Sequence, residues 1–227
     1  MNEETLSSGF FGEDITLDIY TDLKEFYTPA NGFSRLHLCR RYGKLHILKS
    51  LQPFYSSQEF YKQLLLKEFN IGYQLDHPNI RHTLGWEKND LLGNYIVLEY
   101  IDGIPLTTFI EQGKLTQALA YKFITEICNA LQYIHSKQLI HKDLKPNNIL
   151  ITHNGNNVKL IDFGLADCDD YEILKIPAGT EKYLAPEQLN PNATLDCRTD
   201  IYSLGIIIEE LSVSYTHLRA HETELHL

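Results

Sequence analysis

A short stretch in the second half of the chain holds three groups that could act together on a phosphoryl group. Asp143 supplies a carboxylate, Lys145 an amine two residues later and Asn148 an amide five residues later, and Asp162 follows with a second carboxylate. A carboxylate can orient an attacking hydroxyl, an amine can neutralise the moving phosphoryl group, and an amide with a second carboxylate can bind Mg²⁺. The residue types and their spacing therefore predict phosphoryl-transfer chemistry.

Two motifs carry these residues. Residues 140–150 read IHKDLKPNNIL and residues 162–164 read DFG. In this order they resemble the catalytic loop and metal-binding motif of the eukaryotic-type (Hanks-type) protein kinase family. Lys145, with Thr180 and the APE run at residues 185–187, resembles the serine/threonine branch. Chance is a poor explanation, because a whole ordered set matches the family: Lys49, Glu68, Asp143, Lys145, Asn148 and Asp162.

The resemblance implies a role for each matching side chain of the loop. Asp143 would accept or orient the substrate hydroxyl, and Lys145 would stabilise the charge of the γ-phosphoryl group. Asn148 and Asp162 would bind Mg²⁺. These roles imply ATP and Mg²⁺ as cofactors and a protein as the substrate.

The residues before the loop read as strands followed by a helix. A turn at residues 41–44 separates two β-prone runs, the second of which ends in Lys49, and this pattern predicts a hairpin. Apolar residues then recur every three or four positions across residues 56–75, which predicts a helix that carries Glu68. By resemblance, Glu68 pairs with Lys49 and aims its amine at the α- and β-phosphates. The other interpretation of Glu68 is a solvated glutamate, paired in part with Lys67.

The stretch expected to cover the phosphates departs most from the family. Residues 29–36 read PANGFSRL, with the single glycine Gly32 where the family usually has three. Glycines there let backbone N–H groups approach phosphates at positive φ, so we expect a looser or differently shaped phosphate loop. Ile47 stands where the family usually has alanine against the adenine ring, and its extra bulk should narrow that pocket.

The resemblance also implies the adenine contacts. Leu36 and Ile47 would lie above the ring and Leu150 below it. The backbone of Glu99 and Ile101 would hydrogen-bond the base at the hinge between two lobes. This placement depends on sequence register alone, because backbone contacts leave little mark on side-chain identity.

Three helices are predicted around the catalytic loop. A short one spans residues 106–111, and Thr116 is expected to cap a long one that runs to about Ser136. The third is similar to the central helix of the family, from which Asp200 would accept hydrogen bonds from the loop backbone. Lys142 replaces the usual arginine, and a lysine offers a point charge instead of a bidentate fork, which disfavours activation by loop phosphorylation.

Composition limits the function classes. The chain has 227 residues, 43% of them hydrophobic and 22% charged, with a formal net charge of −10. An acidic chain of this kind argues against nucleic acid or an anionic membrane as the main partner. No apolar run approaches the ~20 residues of a membrane span. The cysteines are dispersed and predict reduced thiols in a cytoplasmic protein. The oligomeric state is left open.

The fold predicted by resemblance is α+β and bilobal, with a small β-rich N-lobe and a helical, incomplete C-lobe. Residues 1–22 would be a leader of unknown role, about 23–100 the N-lobe and about 103–211 the C-lobe. Residues 212–223 resemble a translated sequencing adapter. We therefore expect the native reading frame to end near Leu211 and residues 212–227 to be an artefactual tail.

Two further functions stay open at this stage. A pseudokinase or signalling scaffold is favoured by the glycine-poor phosphate loop and by Ile47, and opposed by the intact Asp143, Asn148 and Asp162. A small-molecule kinase of the aminoglycoside or choline type shares part of the catalytic motif. Lys145 argues against that class, as does the APE run.

Overall fold

The structure, a computed structural model, describes residues 20–28, 32–164, 181–190 and 192–224, with side chains as far as residue 214. A β-rich N-lobe and a mainly helical C-lobe are joined by the segment that follows Glu99. This arrangement confirms the α+β, bilobal fold predicted from the sequence. Thr180 and the phosphate-loop residues 29–31 lie outside the described residues.

The N-lobe is built on an antiparallel sheet with the strand order β1-β2-β3-β5-β4. Its strands are β1 (Tyr20–Tyr27), β2 (Ser34–Arg41), β3 (Lys44–Leu51), β4 (Thr83–Asn89) and β5 (Gly93–Glu99). The predicted hairpin is the β2–β3 pair. Tyr42 and Gly43 at its turn have φ of +50° and +78°. A two-residue turn of the type that matches strand twist requires positive φ at both central positions.

The first strand begins inside the segment that the sequence assigned to a leader. Tyr20 is part of β1, its hydroxyl donates to a Glu87 carboxylate oxygen at 2.6 Å, and its ring lies 6.1 Å from that of Tyr95. The described N-lobe sheet therefore includes Tyr20, three residues before the approximate boundary predicted from the sequence. The apolar residues of this segment show no clear period, because β1 is an edge strand that is exposed along most of its length.

One helix, α1 (Glu59–Tyr73), packs on the N-lobe sheet. It is shorter than the predicted span of 56–75, because residues 53–57 form turns instead. Gly72 near its end lies directly against β4: a β-carbon added there would meet the Thr83 hydroxyl oxygen at 2.3 Å. Only a residue without a side chain lets the helix approach β4 this closely.

The C-lobe holds the helices α2 (Leu106–Glu111), α3 (Gln117–Ser136) and α4 (Arg198–Glu224). A small sheet of β6 (Gly103–Pro105), β7 (Ile149–Thr152) and β8 (Val158–Leu160) lies beside them. The Thr116 side chain accepts a hydrogen bond from the Leu119 N–H at 3.2 Å, so it caps α3 as predicted. Several fully buried side chains form the lobe's core: Phe123, Ile127, Ile134, Leu144, Ile149 and Ile207.

The last helix extends beyond the predicted domain boundary. α4 continues past Leu211 to Glu224. The origin of residues 212–227 stays a prediction. Among the described residues, the helices are all too short or too polar to cross a bilayer.

Candidate active site

The predicted catalytic loop is fixed from the C-lobe side by Asp200 of α4. Asp200 is fully buried, and its two carboxylate oxygens accept from the backbone N–H groups of His141 and Lys142, each at 2.9 Å. His135 Nε2 of α3 lies 2.7 Å from the oxygen that His141 reaches. Lys142 adopts a φ of +64°, a conformation uncommon for residues other than glycine. The carboxylate therefore holds a loop whose backbone is otherwise unfavourable.

Asp143 is surrounded by the other polar groups of the loop. Lys145 Nζ lies 2.9 Å and 2.8 Å from its two carboxylate oxygens. Asn148 donates from its amide nitrogen to the Asp143 carboxylate and to the Asp143 carbonyl oxygen, both at 2.8 Å. Burial raises the pKa of Asp143, and the charge of Lys145 opposes that rise. The loop thus presents one oriented carboxylate with an amine beside it.

Lys49 reaches both predicted acidic partners. Its Nζ lies 2.6 Å from a Glu68 oxygen and 3.1 Å from an Asp162 oxygen. Burial disfavours the ammonium form, but the charges of Asp162 and Glu68 outweigh that effect and raise the pKa of Lys49. Glu68 is 6% exposed, so the interpretation of a solvated glutamate is wrong.

Asp162 lies next to the N-lobe because β8 pairs with the segment that precedes β4. The Leu160 N–H donates to the Asn79 carbonyl oxygen at 2.7 Å, and the Arg81 N–H donates to the Leu160 carbonyl oxygen at 2.9 Å. Asp162 itself has a φ of +66°. Burial would raise the pKa of Asp162, but the charges of Lys49 and Arg81 hold it well below the usual range.

The donor set fits a magnesium ion that also binds phosphate. Asp162 is an ionised carboxylate whose side chain is 43% exposed, and Asn148 has its amide nitrogen engaged with Asp143. This leaves the Asn148 amide oxygen for a cation. Mg²⁺ is usually bound through one or two carboxylates together with substrate phosphates and waters. In the described residues, no cluster of three or more histidine, cysteine or acidic side chains could form an all-protein metal site.

The predicted adenine residues lie on strands that border the interlobe segment. Ile47 of β3 is 5% exposed, pairs across the sheet with Leu98 and shares a cluster with it, and Leu36 packs against that cluster. Leu150 lies on β7 and pairs with Pro105 and Lys159. Ile47 is therefore a buried residue of the N-lobe sheet, and the narrowing of the adenine pocket stays a prediction.

The two predicted hinge residues differ in their surroundings. The Glu99 carboxylate binds the Lys159 amine at 3.2 Å and accepts from the His82 N–H at 3.0 Å. Burial works against the ionised form, but these two contacts lower the pKa of Glu99. Ile101 is buried. The Glu99 side chain thus connects the N-lobe to β8. The Glu99 backbone stays the predicted hydrogen-bonding partner of the adenine base.

The described part of the phosphate loop is attached to the end of β3. The Gly32 carbonyl oxygen accepts from the Gln52 side-chain amide at 2.7 Å, and the Phe33 carbonyl oxygen accepts from the Gln52 N–H at 2.8 Å. The looser or differently shaped loop expected from the single glycine stays a prediction, because residues 29–31 lie outside the described residues.

Three residues at the site were missed by the sequence interpretation. Arg81 adds a second positive charge near Glu68 and Asp162 and lowers the pKa of Asp162. Gln188 donates its side-chain amide to the Lys142 carbonyl oxygen at 2.9 Å. Gln52, described above, is the third. None belongs to a motif, and their contacts join distant parts of the chain, so no local pattern indicates them.

Comparison with known proteins supports what this geometry indicates. The protein kinase domain family model matches residues 32–226. Serine/threonine-protein kinase ppk25 of Schizosaccharomyces pombe is 34% identical over 168 residues, which cover 73% of this chain and 39% of that protein. Calcium-dependent protein kinase 5 of Plasmodium falciparum is 40% identical over 156 residues, which cover 66% of this chain and 27% of that protein. Serine/threonine-protein kinase PrkC of Bacillus subtilis is 35% identical over 170 residues, which cover 72% of this chain and 26% of that protein.

The chain belongs to the protein kinase family, in its serine/threonine branch. It spans between about a quarter and two fifths of the length of these relatives. The relatives are named as kinases, which lends no support to the scaffold alternative.

Proposed function

We propose that the chain transfers the γ-phosphoryl group of ATP to a serine or threonine hydroxyl of a protein. The observation that carries this proposal is that two sets of groups lie near each other, close enough that, besides burial, the charge of Asp162 raises the pKa of Asp143. Lys49, with Glu68 and Asp162, lies on the N-lobe side, and Asp143, with Lys145 and Asn148, forms the loop below. These groups supply phosphate binding, hydroxyl orientation and charge neutralisation together.

Each side chain has a defined task in this mechanism. Asp143 accepts a hydrogen bond from the attacking hydroxyl and aims its oxygen, with a carboxylate held by Asn148. Lys145, bound to the same carboxylate, neutralises charge on the transferred group. Lys49 binds phosphate oxygens and is held in place by Glu68. Asn148 and Asp162 would hold Mg²⁺, which would supply further neutralisation of the phosphates.

The first experiment is transfer of labelled phosphate from ATP to a mixture of generic proteins. We expect label on phosphoserine or phosphothreonine and none on phosphotyrosine after acid hydrolysis. Removal of Mg²⁺ with EDTA should abolish transfer and its restoration should recover it, because the donor set needs the cation to neutralise phosphate charge. Label on a small alcohol and none on protein would instead select the small-molecule kinase.

Glu68→Gln tests the Lys49 ion pair within this mechanism. Replacement of a charge-assisted hydrogen bond by a neutral one should cost about 1.5–3 kcal/mol, a decrease of about ten- to a hundredfold in kcat/KM for Mg-ATP. Glu59→Gln is the matched control on α1, because Glu59 is exposed and, among the described residues, bonds to neighbours on that helix. Equal kcat/KM for the two variants would contradict the role of Glu68.

The binding partner of the chain and its location in the cell are also proposals. The predicted partner is a protein substrate, and the net charge of −10 disfavours nucleic acid. The cysteines in the described residues, Cys39, Cys128 and Cys197, are free thiols, which supports the cytoplasmic location predicted from composition.

A further inference from the structure

The end of the phosphate loop is attached at two points that the family resemblance does not predict. The first is Gln52, one residue beyond β3. Its backbone N–H donates to the Phe33 carbonyl oxygen at 2.8 Å, and its side-chain amide donates to the Gly32 carbonyl oxygen at 2.7 Å. Lys49 lies three residues earlier on the same strand. Gln52 therefore links Gly32 and Phe33 to the strand that carries the phosphate-binding amine.

The second attachment is an aromatic contact with α1. The Phe33 ring lies 5.5 Å from the Tyr61 ring, and Tyr61 in turn lies 4.5 Å from Tyr55. Centroid distances in this range are those of favourable aromatic pairs. Both Phe33 and Tyr61 also pack against the cluster that contains Ile47. The loop end is thus held by side-chain packing as well as by hydrogen bonds.

The same helix carries the glutamate that holds Lys49. Tyr61 and Glu68 are seven residues apart on α1, about two helical turns, and so lie on the same side of the helix. Glu68 contacts Lys49 at one end of this stretch, and Tyr61 contacts Phe33 at the other. Gly32 and Phe33 therefore have a fixed position relative to both charged groups.

From these contacts we infer that Gln52 and Tyr61 are positioning residues for the nucleotide phosphates. They hold Gly32 and Phe33 against β3 and α1, and so fix the backbone next to the phosphates where the sequence lacks the usual glycines. The effect is mainly on phosphate recognition, because the residues that they hold, Gly32 and Phe33, belong to the predicted phosphate loop. This inference rests on the proposed function, since it requires that the chain binds ATP.

The test compares two ligands that differ in their phosphates. Dissociation constants for Mg-ATP and for adenosine are measured by calorimetry on the 227-residue chain and on Gln52→Ala, Tyr61→Leu and Tyr61→Phe. Loss of one neutral hydrogen bond or one aromatic contact should weaken Mg-ATP binding about three- to tenfold for Gln52→Ala and Tyr61→Leu. Adenosine binding should weaken less than Mg-ATP binding in both variants. Tyr61→Phe keeps the ring and should keep the affinity for Mg-ATP.

Matched controls lie on the same helix. Gln63→Ala removes an exposed glutamine whose donation in the described residues goes to Glu59, and Tyr73→Leu removes an exposed ring that contacts Phe69. Both should bind the two ligands as the unchanged chain does. The double variant Gln52→Ala/Tyr61→Leu should lose less than the product of the single effects, because both residues hold the same two-residue segment.

The possible outcomes separate the two proposals. Equal weakening of adenosine and Mg-ATP in the variants would mean a general structural role and would overturn the inference. Unchanged Mg-ATP affinity in Gln52→Ala and Tyr61→Leu would also overturn it, while the proposed function stood. If the unchanged chain bound neither ligand, the proposed function would fail and the inference with it.

Discussion

Asp143→Asn is expected to lower kcat for phosphoryl transfer by about a hundred- to ten-thousandfold, which is the usual contribution of a positioned acid–base group. The amide keeps the size of the carboxylate but cannot accept the proton of the substrate hydroxyl. Asp143 is bonded to Lys145 and Asn148, and its removal leaves Lys49 and Asp162 in place. Affinity for Mg-ATP should therefore stay within a few-fold of the original. Transfer of labelled phosphate and calorimetry measure the two quantities.

A matched aspartate is available as the control. Asp90 lies exposed in the turn between β4 and β5, far from the catalytic loop in the sequence and in the other lobe. Asp90→Asn should leave both kcat and the Mg-ATP affinity unchanged. If Asp143→Asn retained full transfer activity, the assignment of Asp143 as the hydroxyl-orienting group would be wrong.

Asp200→Ala is expected to lower the free energy of unfolding by about 3 kcal/mol or more, the largest loss of stability among the proposed variants. The His141 N–H, the Lys142 N–H and the His135 ring would lose their acceptor, and each unsatisfied buried donor costs about 1–3 kcal/mol. Urea denaturation followed by circular dichroism measures the loss. Because the two backbone donors belong to the catalytic loop, amide exchange at residues 141 and 142 should also accelerate.

Asp196→Ala is the control for this variant. Asp196 lies just before α4, and its carboxylate accepts from the exposed Arg198 guanidinium and from the Arg198 backbone N–H. Its removal should therefore cost only as much as the loss of one exposed helix cap, well below the loss expected for Asp200→Ala. Similar unfolding free energies for Asp200→Ala and the unchanged chain would show that the loop holds its conformation without the buried carboxylate.

The residues that could be predicted from the sequence are those that lie close together in it. Asp143, Lys145 and Asn148 fall within six residues, so their spacing alone indicated that they would meet. Asp162 follows a short strand that pairs beside the loop, and the structure brings it to 3.1 Å from Lys49. Hydrophobic periodicity located α1, and a capping threonine located the start of α3.

The residues that the sequence left unassigned act across long separations. Gln52 and Gly32 are 20 residues apart, and His135 and Asp200 are 65 residues apart. A glutamine or histidine alone does not indicate its partner, because these side chains bond equally well to solvent. Arg81 has the same difficulty, since its effect on Asp162 exists only after β8 pairs with the segment that precedes β4.

The contact between Gly72 and Thr83 limits how this chain can diverge from its relatives. Thr83 Oγ1 would lie 2.3 Å from a β-carbon at position 72, so an alanine there requires a smaller residue at position 83 or a displaced α1. Displacement would carry Glu68 away from Lys49, because both ends of the helix move as one body. Position 72 is therefore restricted to glycine as long as Thr83 is present and α1 stays in place, whereas a smaller residue at position 83 fits beside Gly72 without a further change.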